Sequence, residues 1–440
     1  MVAEKLYTKP LPPGSLGLPL IGERPRLLDV DYLLAMYKKY GPVFKTRVVG
    51  FGNVAVFMGP EGNRFLLSTG MNLFSWRDGW PITFKALLGE SLFVQDGEEH
   101  RTKRKLLMPA FHRQSLHNYT ETMESIAQRY LAKWEAQGRI NFLSEFKQFT
   151  FEVASILMTG TEPGESTQEL SRHFVTMTAG FISIPINVPW LPYGRAMKAR
   201  EALLAFIDRA IEHRRQQPTT DALSLLVQTR DEHGNGLTNQ ELRAQMLLML
   251  FAGHETSASM MTFLALSLAQ HPDVLAKARA EQDALQLGDR LTMDDIRRMT
   301  YLDMVLKEVE RMYPPVPVGF RGVTETFEFN GYTIPKGWTA LYPINVAHYD
   351  PDIYTDPKRF DPERFSEARN ESQVPFSLVG FGGGARICLG YAFAQLEMKI
   401  MASYLLRYFE WEILPDQDLR TTYRPTLFPR SGLDVVFRRR

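Results

Sequence analysis

Cys388, the one cysteine of the chain, stands in the segment Phe381-Gly382-Gly383-Gly384-Ala385-Arg386-Ile387-Cys388-Leu389-Gly390, directly before the amphipathic run YAFAQLEMKIMASYLLRYF. Glycines there let the backbone turn tightly and aim N–H groups at one atom, and a helix beginning after the cysteine brings its positive end near the sulfur. With the Arg386 cation two residues upstream, both effects predict a lowered thiol pKa and a thiolate able to bind metal. The same segment can also be read as a structural cysteine beside a glycine turn, as a phosphate loop, or as a nucleophile. Against the phosphate loop, Ile387 takes the last glycine position and no Gly-Lys-Ser/Thr follows. A nucleophile needs a histidine base, which no motif identifies.

Other residues have chemical potential only in combination. Ala252-Gly253-His254-Glu255-Thr256 places an acid beside an alcohol in a helical stretch. A His-Glu-x-x-His zinc site is excluded because Ala258 holds the second histidine's position. Burying Glu255 and Thr256 unpaired would be costly, which favours a working role, and Gly253 permits close approach of a ligand and local opening of the helix. His254 is expected to be packed or solvated rather than to bind metal. Glu308 and Arg311 stand three apart, on one helix face, a turn before Pro314-Pro315. His100 and Arg104 are four apart, and Arg321 lies in PPVPVGFRG.

Several elements must position these residues. Thr238 and Glu241 form a capping box and His271-Pro272 a stop, bracketing a helix of about 45 Å at 1.5 Å per residue. Its middle lies near the molecular centre. FKTRVVG and VAVFMG read as paired strands around Phe51-Gly52-Asn53, and FEF and YTI as a hairpin around Asn330-Gly331. The pattern predicts β-rich parts at about 43–59 and 327–345, helical parts at about 61–313 and 389–409, and a long ordered coil over 350–384. Long coils in compact folds are usually functional. GTEPGEST, QQPTTD and DEHGNGLT are loops between helices. The fold class expected is mainly α with a small β region, in a single domain over 1–440.

Composition narrows the classes. The 440 residues are 44% hydrophobic and 23% charged, which excludes bulk disorder. Lys and Arg number 51 against 50 Asp and Glu, so nothing points to nucleic acid. A lone cysteine excludes an intrachain disulfide or a multi-cysteine metal site and suits a reducing, cytoplasmic setting. The first residues are broken by Pro10, Pro12, Pro13 and Pro19, and MLLMLFAG is too short to span a bilayer, so a soluble protein without a transmembrane anchor is expected.

The pattern Phe-x-x-Gly-x-Arg-x-Cys-x-Gly, met at Phe381, Gly384, Arg386, Cys388 and Gly390, resembles the haem-ligand loop of the cytochrome P450 superfamily. The resemblance runs from Pro12 to the C-terminus. Three stretches (LPPGSLGLPLIGE, MLLMLFAGHETSAS and GFGGGARICLG) are similar to cyanobacterial members related to vertebrate retinoic acid hydroxylases. It implies that fold, with the long helix over a buried haem b whose iron Cys388 ligates. Phe381 and Gly253 would contact the cofactor, and Arg386, His100, Arg104 and Arg321 its propionates, with His100 where tryptophan is more familiar. Glu308, Arg311 and Arg364 resemble the structural Glu-Arg-Arg triad, and Glu255 and Thr256 the proton-delivering pair. Trp76, Phe174, Phe181, Ala252, Val318 and Phe428 would wall the substrate pocket, with 180–194 as an entrance lid or a core segment. The implied activity is hydroxylation of an elongated lipophilic molecule by O2, with retinoic acid or a related isoprenoid favoured and a fatty acid next. Electrons would come from a separate ferredoxin or flavodoxin, which the basic cluster Arg101, Lys103, Arg104 and Lys105 would help to dock. A peroxide-using or isomerising haem-thiolate enzyme and a non-catalytic haem sensor are the alternatives.

Overall fold

Thr238 caps a helix running from Asn239 to Gln270. Its Oγ1 accepts the Glu241 N–H at 3.2 Å, and Glu241 Oε2 accepts the Thr238 N–H at 2.8 Å. This reciprocal pair satisfies two of the free donors at a helix start. His271 is the C-cap and Pro272 begins the next helix, where the lost N–H would be unpaired anyway. The 32 residues span about 48 Å. The computed structural model describes residues 8–18, 26–161 and 164–440; Pro19, the end of LPPGSLGLPLIGE and two residues of GTEPGEST lie outside the described residues.

From Ala244 to Leu268 every residue of this spanning helix is buried except Ala252, Gly253 and Thr256. Those three fall on one face, so a core helix shows one patch at its middle. The Phe142–Thr159 helix packs along it. Beyond that helix, Trp134, Phe142, Phe146 and Phe437 interlock with ring centroids 5.0–6.1 Å apart. The Tyr391–Tyr408 helix that follows Cys388 also packs against the spanning helix.

The β region centres on a five-stranded sheet, ordered Val43–Val48, Gly52–Phe57, Thr339–Pro343, Val318–Val323 and Phe74–Ser75. All neighbours are antiparallel except Gly52–Phe57 with Thr339–Pro343, where Val54 pairs with Thr339. The Asn330-Gly331 hairpin forms, with φ of 48° and 80° at the two residues. Strands occur outside the expected β parts, however. Val318–Val323 precedes 327, Phe74–Ser75 and Arg139–Asn141 interrupt the predicted helical part, and four more strands follow 409. These segments are short, and apart from the local pair Thr421–Tyr423 with Leu427–Pro429 they are held by distant partners: Arg139–Asn141 pairs with the strand at Asp434. A local pattern does not carry that information.

The expected coil over 350–384 holds only single-turn helices, at Pro362–Phe365 and Glu371–Gln373. Glu308, Arg311 and Arg364 tie it down, all at 0% exposure. Glu308 accepts from Arg311 Nε and Nη2 at 2.7 Å each, from Arg364 Nε at 3.0 Å, and from the Asp361 N–H at 2.9 Å. Arg311 Nη1 donates to the His348 and Pro357 carbonyls at 2.8 Å, and Arg364 to the Thr355 and Arg359 carbonyls and to Glu371. Both guanidiniums also lie over the Tyr354 ring. A buried carboxylate stripped of one such partner is destabilised by about 3–5 kcal/mol. Arg364→Ala is therefore expected to lower unfolding free energy by about that amount in urea. A loss below about 1 kcal/mol, the scale of an exposed pair, would contradict the arrangement.

Candidate active site

The cysteine loop closes on itself. The Cys388 N–H donates to the Phe381 carbonyl at 2.8 Å and the Gly382 N–H to the Val379 carbonyl at 2.8 Å, while the Phe381 ring meets Tyr391 edge-on at 4.8 Å. Gly390 caps the helix beyond. At the loop's base His348 links two elements: Nδ1–H donates to the Arg311 carbonyl and Nε2 accepts the Val379 N–H, both at 3.0 Å. The thiol lies deep among protein atoms yet keeps open surface of its own. The predicted lowering of its pKa is not found. Burial pushes the Cys388 thiol up, outweighing the Gly390 N–H and the Arg104 charge, and Glu310 pushes in the same direction as burial. The loop therefore makes an accessible soft donor whose proton is displaced by a metal, rather than a standing thiolate.

Beside it four basic groups, Arg104, His100, Arg321 and Arg386, lie close enough to act on one another's charge, two of them over Trp76. Pairing of Phe74–Ser75 with Gly322 and Val323 brings Trp76 to Arg321, whose guanidinium carbon lies 3.7 Å from the ring centroid. The Arg386 guanidinium lies 4.0 Å from the same ring. Asp96 is the carboxylate among them: it accepts Ser75 Oγ at 2.6 Å and the Trp76 N–H at 2.7 Å, and stands 3.6 Å from Arg386 Nη2. Arg386 also donates to the Gln95 carbonyl, and Arg321 to Tyr342 Oη. Nε of both arginines is buried without a partner among the described residues. Burial, with Arg321 close by, lowers Arg386 to about 9. Burial, then Arg386 and Arg104, lower His100 to about 3. This cluster is short of negative charge.

On the spanning helix Thr256 Oγ1 donates to the Ala252 carbonyl at 2.6 Å. The helix is continuous there, so the predicted local opening at Gly253 is absent; a Cβ on Gly253 would meet only Ala154 Cβ, at 4.0 Å. Glu255 is buried but not alone: Lys147 Nζ lies 2.9 Å from Oε2 and His254 Nε2 3.5 Å from Oε1. His254 is packed, as expected, between Phe151 and Phe174, with Nδ1 3.0 Å from Thr150 Oγ1.

The expected pocket residues divide. Phe174 and Phe181 both pack near Phe251, the first tilted and the second edge-on, with Phe84 stacked on Phe181 at 4.3 Å. Ala252 is next in sequence to Phe251. Phe428 lies under the Lys147 ammonium, on a strand that reaches the spanning helix through Ser259 Oγ and the Leu427 carbonyl. Val318 is buried at the start of its strand. Trp76 stands apart, with the arginines. In the 180–194 segment Ile182, Ile184, Ile186 and Trp190 are exposed, so it is no core segment. In the basic cluster Lys103 is taken by Glu241 at 2.5 Å and Arg101 by Glu98 at 2.6 Å, while Arg104 is half-buried near Cys388; of the four only Arg101 and Lys105 are exposed.

An open thiol in a glycine loop, near basic groups with a single carboxylate among them, together with a spanning helix that carries an acid–alcohol pair, defines a cysteine-ligated cofactor site. Residues 12–437 match the Cytochrome P450 family, and the chain belongs to it. It is 40% identical to "Putative cytochrome P450 120" of Synechocystis sp., over 98% of this chain and 97% of that protein. It is 33% identical to "Abscisic acid 8'-hydroxylase 1" of Arabidopsis thaliana, over 98% of this chain and 92% of that one. The solved structure "Retinoic acid bound cyanobacterial CYP120A1" superposes with a TM-score of 0.90 at 39% identity, covering 99% of this chain and 100% of that chain. The chain is thus a cytochrome P450 monooxygenase of mainly helical fold, and the family's cofactor is haem b on a cysteine thiolate. Among the described residues no helix is long and apolar enough to cross a membrane.

The residues fit that cofactor. Arg321, Arg386, Arg104 and neutral His100 offer donors for two propionate carboxylates where only Asp96 otherwise balances charge. Cys388 supplies the sulfur, and Ala252, Gly253 and Thr256 the partly open patch. Asp96 and Lys147 escaped the sequence reading. Asp96, ahead of Gly97-Glu98-Glu99, has the type and place of a helix N-cap and could have been found; Lys147 pairs with Glu255 across two helices and leaves no local sign.

Burial holds His348 at about 3 and His254 at about 4, as it holds His100 at about 3. The unfolded value is about 6.5, so at these three positions the folded chain binds fewer protons, while the buried acids Glu310 and Glu397, raised to about 7 and about 8, act the other way. The stability the three histidines contribute is complete above about pH 6.5 and is lost as pH falls towards 4. The urea midpoint of His348→Gln is therefore expected to gain on that of the unsubstituted chain as pH falls from 7 to 4.5; a difference between the two that stays constant over that range would contradict it.

Proposed function

We propose that this chain, acting as a single haem domain, hydroxylates an elongated isoprenoid carboxylic acid of the retinoic acid type. The observation carrying this is the retinoic acid-bound structure, alike over nearly the whole chain. A relative named for hydroxylating abscisic acid, itself an isoprenoid acid, supports the class. So does the aromatic wall of Phe84, Phe174, Phe181 and Phe251 beside Ala252, which suits a conjugated, lipophilic chain.

Haem held by the Cys388 thiolate would supply the reductive activation of dioxygen when bound. The remaining tasks fall to the chain. Cys388 holds the iron, with its loop locked by the Phe381 carbonyl and His348. Arg104, Arg321, Arg386 and His100 would hold the propionates, and Phe381 and Gly253 would lie against the cofactor. Thr256 Oγ1, now donating to the Ala252 carbonyl, would hold a proton at the partly open patch of the helix, and Glu255 would exchange protons with bulk water past Lys147, which is partly exposed. Electrons come from a ferredoxin or flavodoxin in the cytoplasm; the single cysteine suits that reducing compartment.

Two experiments test this. Cys388→Ser is expected to lose the red-shifted Soret band of the ferrous carbonyl complex; retention of that band would remove Cys388 as ligand. Titration of the haem-loaded chain with all-trans-retinoic acid, followed by the ferric spin-state change, should give binding at least tenfold tighter than palmitic acid. Equal or reversed affinities would favour a fatty acid. Turnover of the bound acid with NADPH and a ferredoxin system, but not with peroxide alone, separates a monooxygenase from the peroxide-using alternative.

A further inference from the structure

Glu310 sits two residues from Glu308 on the Thr300–Met312 helix but engages the cysteine loop instead of the triad. It is 6% exposed, and its carboxylate accepts the backbone N–H groups of Phe381 and Gly380. A Cβ at position 380 would come within 2.4 Å of Glu310 Cγ and 2.7 Å of Oε1, so glycine is what lets the loop close on the acid. Phe381 then joins acid to cysteine, giving its N–H to Glu310 while its carbonyl accepts the Cys388 N–H at 2.8 Å.

Few charges face this carboxylate. Lys307, on the same helix, attracts it without forming an ion pair among the described residues. The Tyr354 and Tyr391 phenols and the Cys388 sulfur feel its charge from the neighbouring coil, helix and loop. The triad arginines are committed to Glu308. An acid in such a place serves no purpose in packing that a leucine would not serve at lower desolvation cost.

We propose that Glu310 is a positioning residue for Cys388 that couples a proton to reduction: it holds the loop through the Gly380 and Phe381 N–H groups, and takes one proton from water when the cysteine-ligated iron gains one electron. This rests on Cys388 being the ligand. The electron comes from the redox partner and goes to ferric iron; the proton goes to a Glu310 oxygen, leaving the other to accept the N–H groups. Added negative charge at iron and sulfur raises the proton affinity of a buried neighbour, because little solvent screens the two. Burial already brings Glu310 to about 7, so the exchange falls in the neutral range.

The test uses the full chain loaded with haem, poised at one fixed potential, with the ferrous-to-ferric ratio read optically from pH 6 to 8.5. In the wild type that ratio is expected to fall at least threefold as pH rises. Glu310→Gln should flatten the dependence while keeping haem content and the red-shifted ferrous carbonyl band. An equal fall in Glu310→Gln, or no fall in the wild type, overturns the proposal. If the glutamine variant does not retain haem, Glu310→Asp, a shorter acid, should move the pH at which the ratio changes; an unmoved transition overturns the proposal equally. A wild type lacking the red-shifted band would sink the Cys388 assignment and this proposal together, whereas an intact band with an unchanged slope sinks this one alone.

Discussion

Glu308 has to satisfy a carboxylate at 0% exposure, and four hydrogen bonds do so, three of them from the guanidiniums of Arg311 and Arg364. Taking such charges out of water costs several kcal/mol per ion before any attraction is counted, so the network persists only when its geometry is complete. That requirement organises the rest. Arg364 can reach Glu308 only if the long coil folds back on the helix, and Arg311 then gathers the carbonyls of His348, Pro357 and Arg359. His348, held by the Arg311 carbonyl, in turn holds Val379, and two residues later begins the segment that presents the sulfur. Rigidity passes from a buried ion cluster to the metal ligand through backbone hydrogen bonds.

The opposite problem governs the basic cluster. There the protein assembles cations without enough anions: Arg321 and Arg386 share one indole, and Asp96 serves mainly to fix the turn that carries that indole. Desolvation, and after it mutual repulsion, lowers the proton affinities of Arg386 and His100. Such a cluster is poor for the chain alone and good for binding a dianion, as expected where stability is given up for function.

Much of this was legible in the sequence because it is local or rests on a few fixed spacings. The capping box at Thr238, the stop at His271, the Asn330-Gly331 hairpin and the Glu308–Arg311 pair each depend on neighbours within four residues. What was not legible depends on distance. Lys147 meets Glu255 from another helix, Trp76 reaches Arg321 through sheet pairing, and several strands exist only because partners far along the chain complete them. The thiol is the instructive error: the glycine turn and helix end are present as expected, but burial, a property of the whole fold, outweighs both.

The parallel pairing of Val54 with Thr339 has a consequence for biosynthesis. The hairpin of Val43–Val48 and Gly52–Phe57 leaves the ribosome early, and its inner edge stays open until the partner strand appears nearly three hundred residues later. At about 5–20 residues per second that interval is on the order of 15–60 seconds. Through it an apolar ribbon, Val54 to Phe57, buried in the finished fold, faces the cell with bare amide groups. An edge left bare for that long is an aggregation hazard while the chain is being made, one that the finished sheet no longer carries.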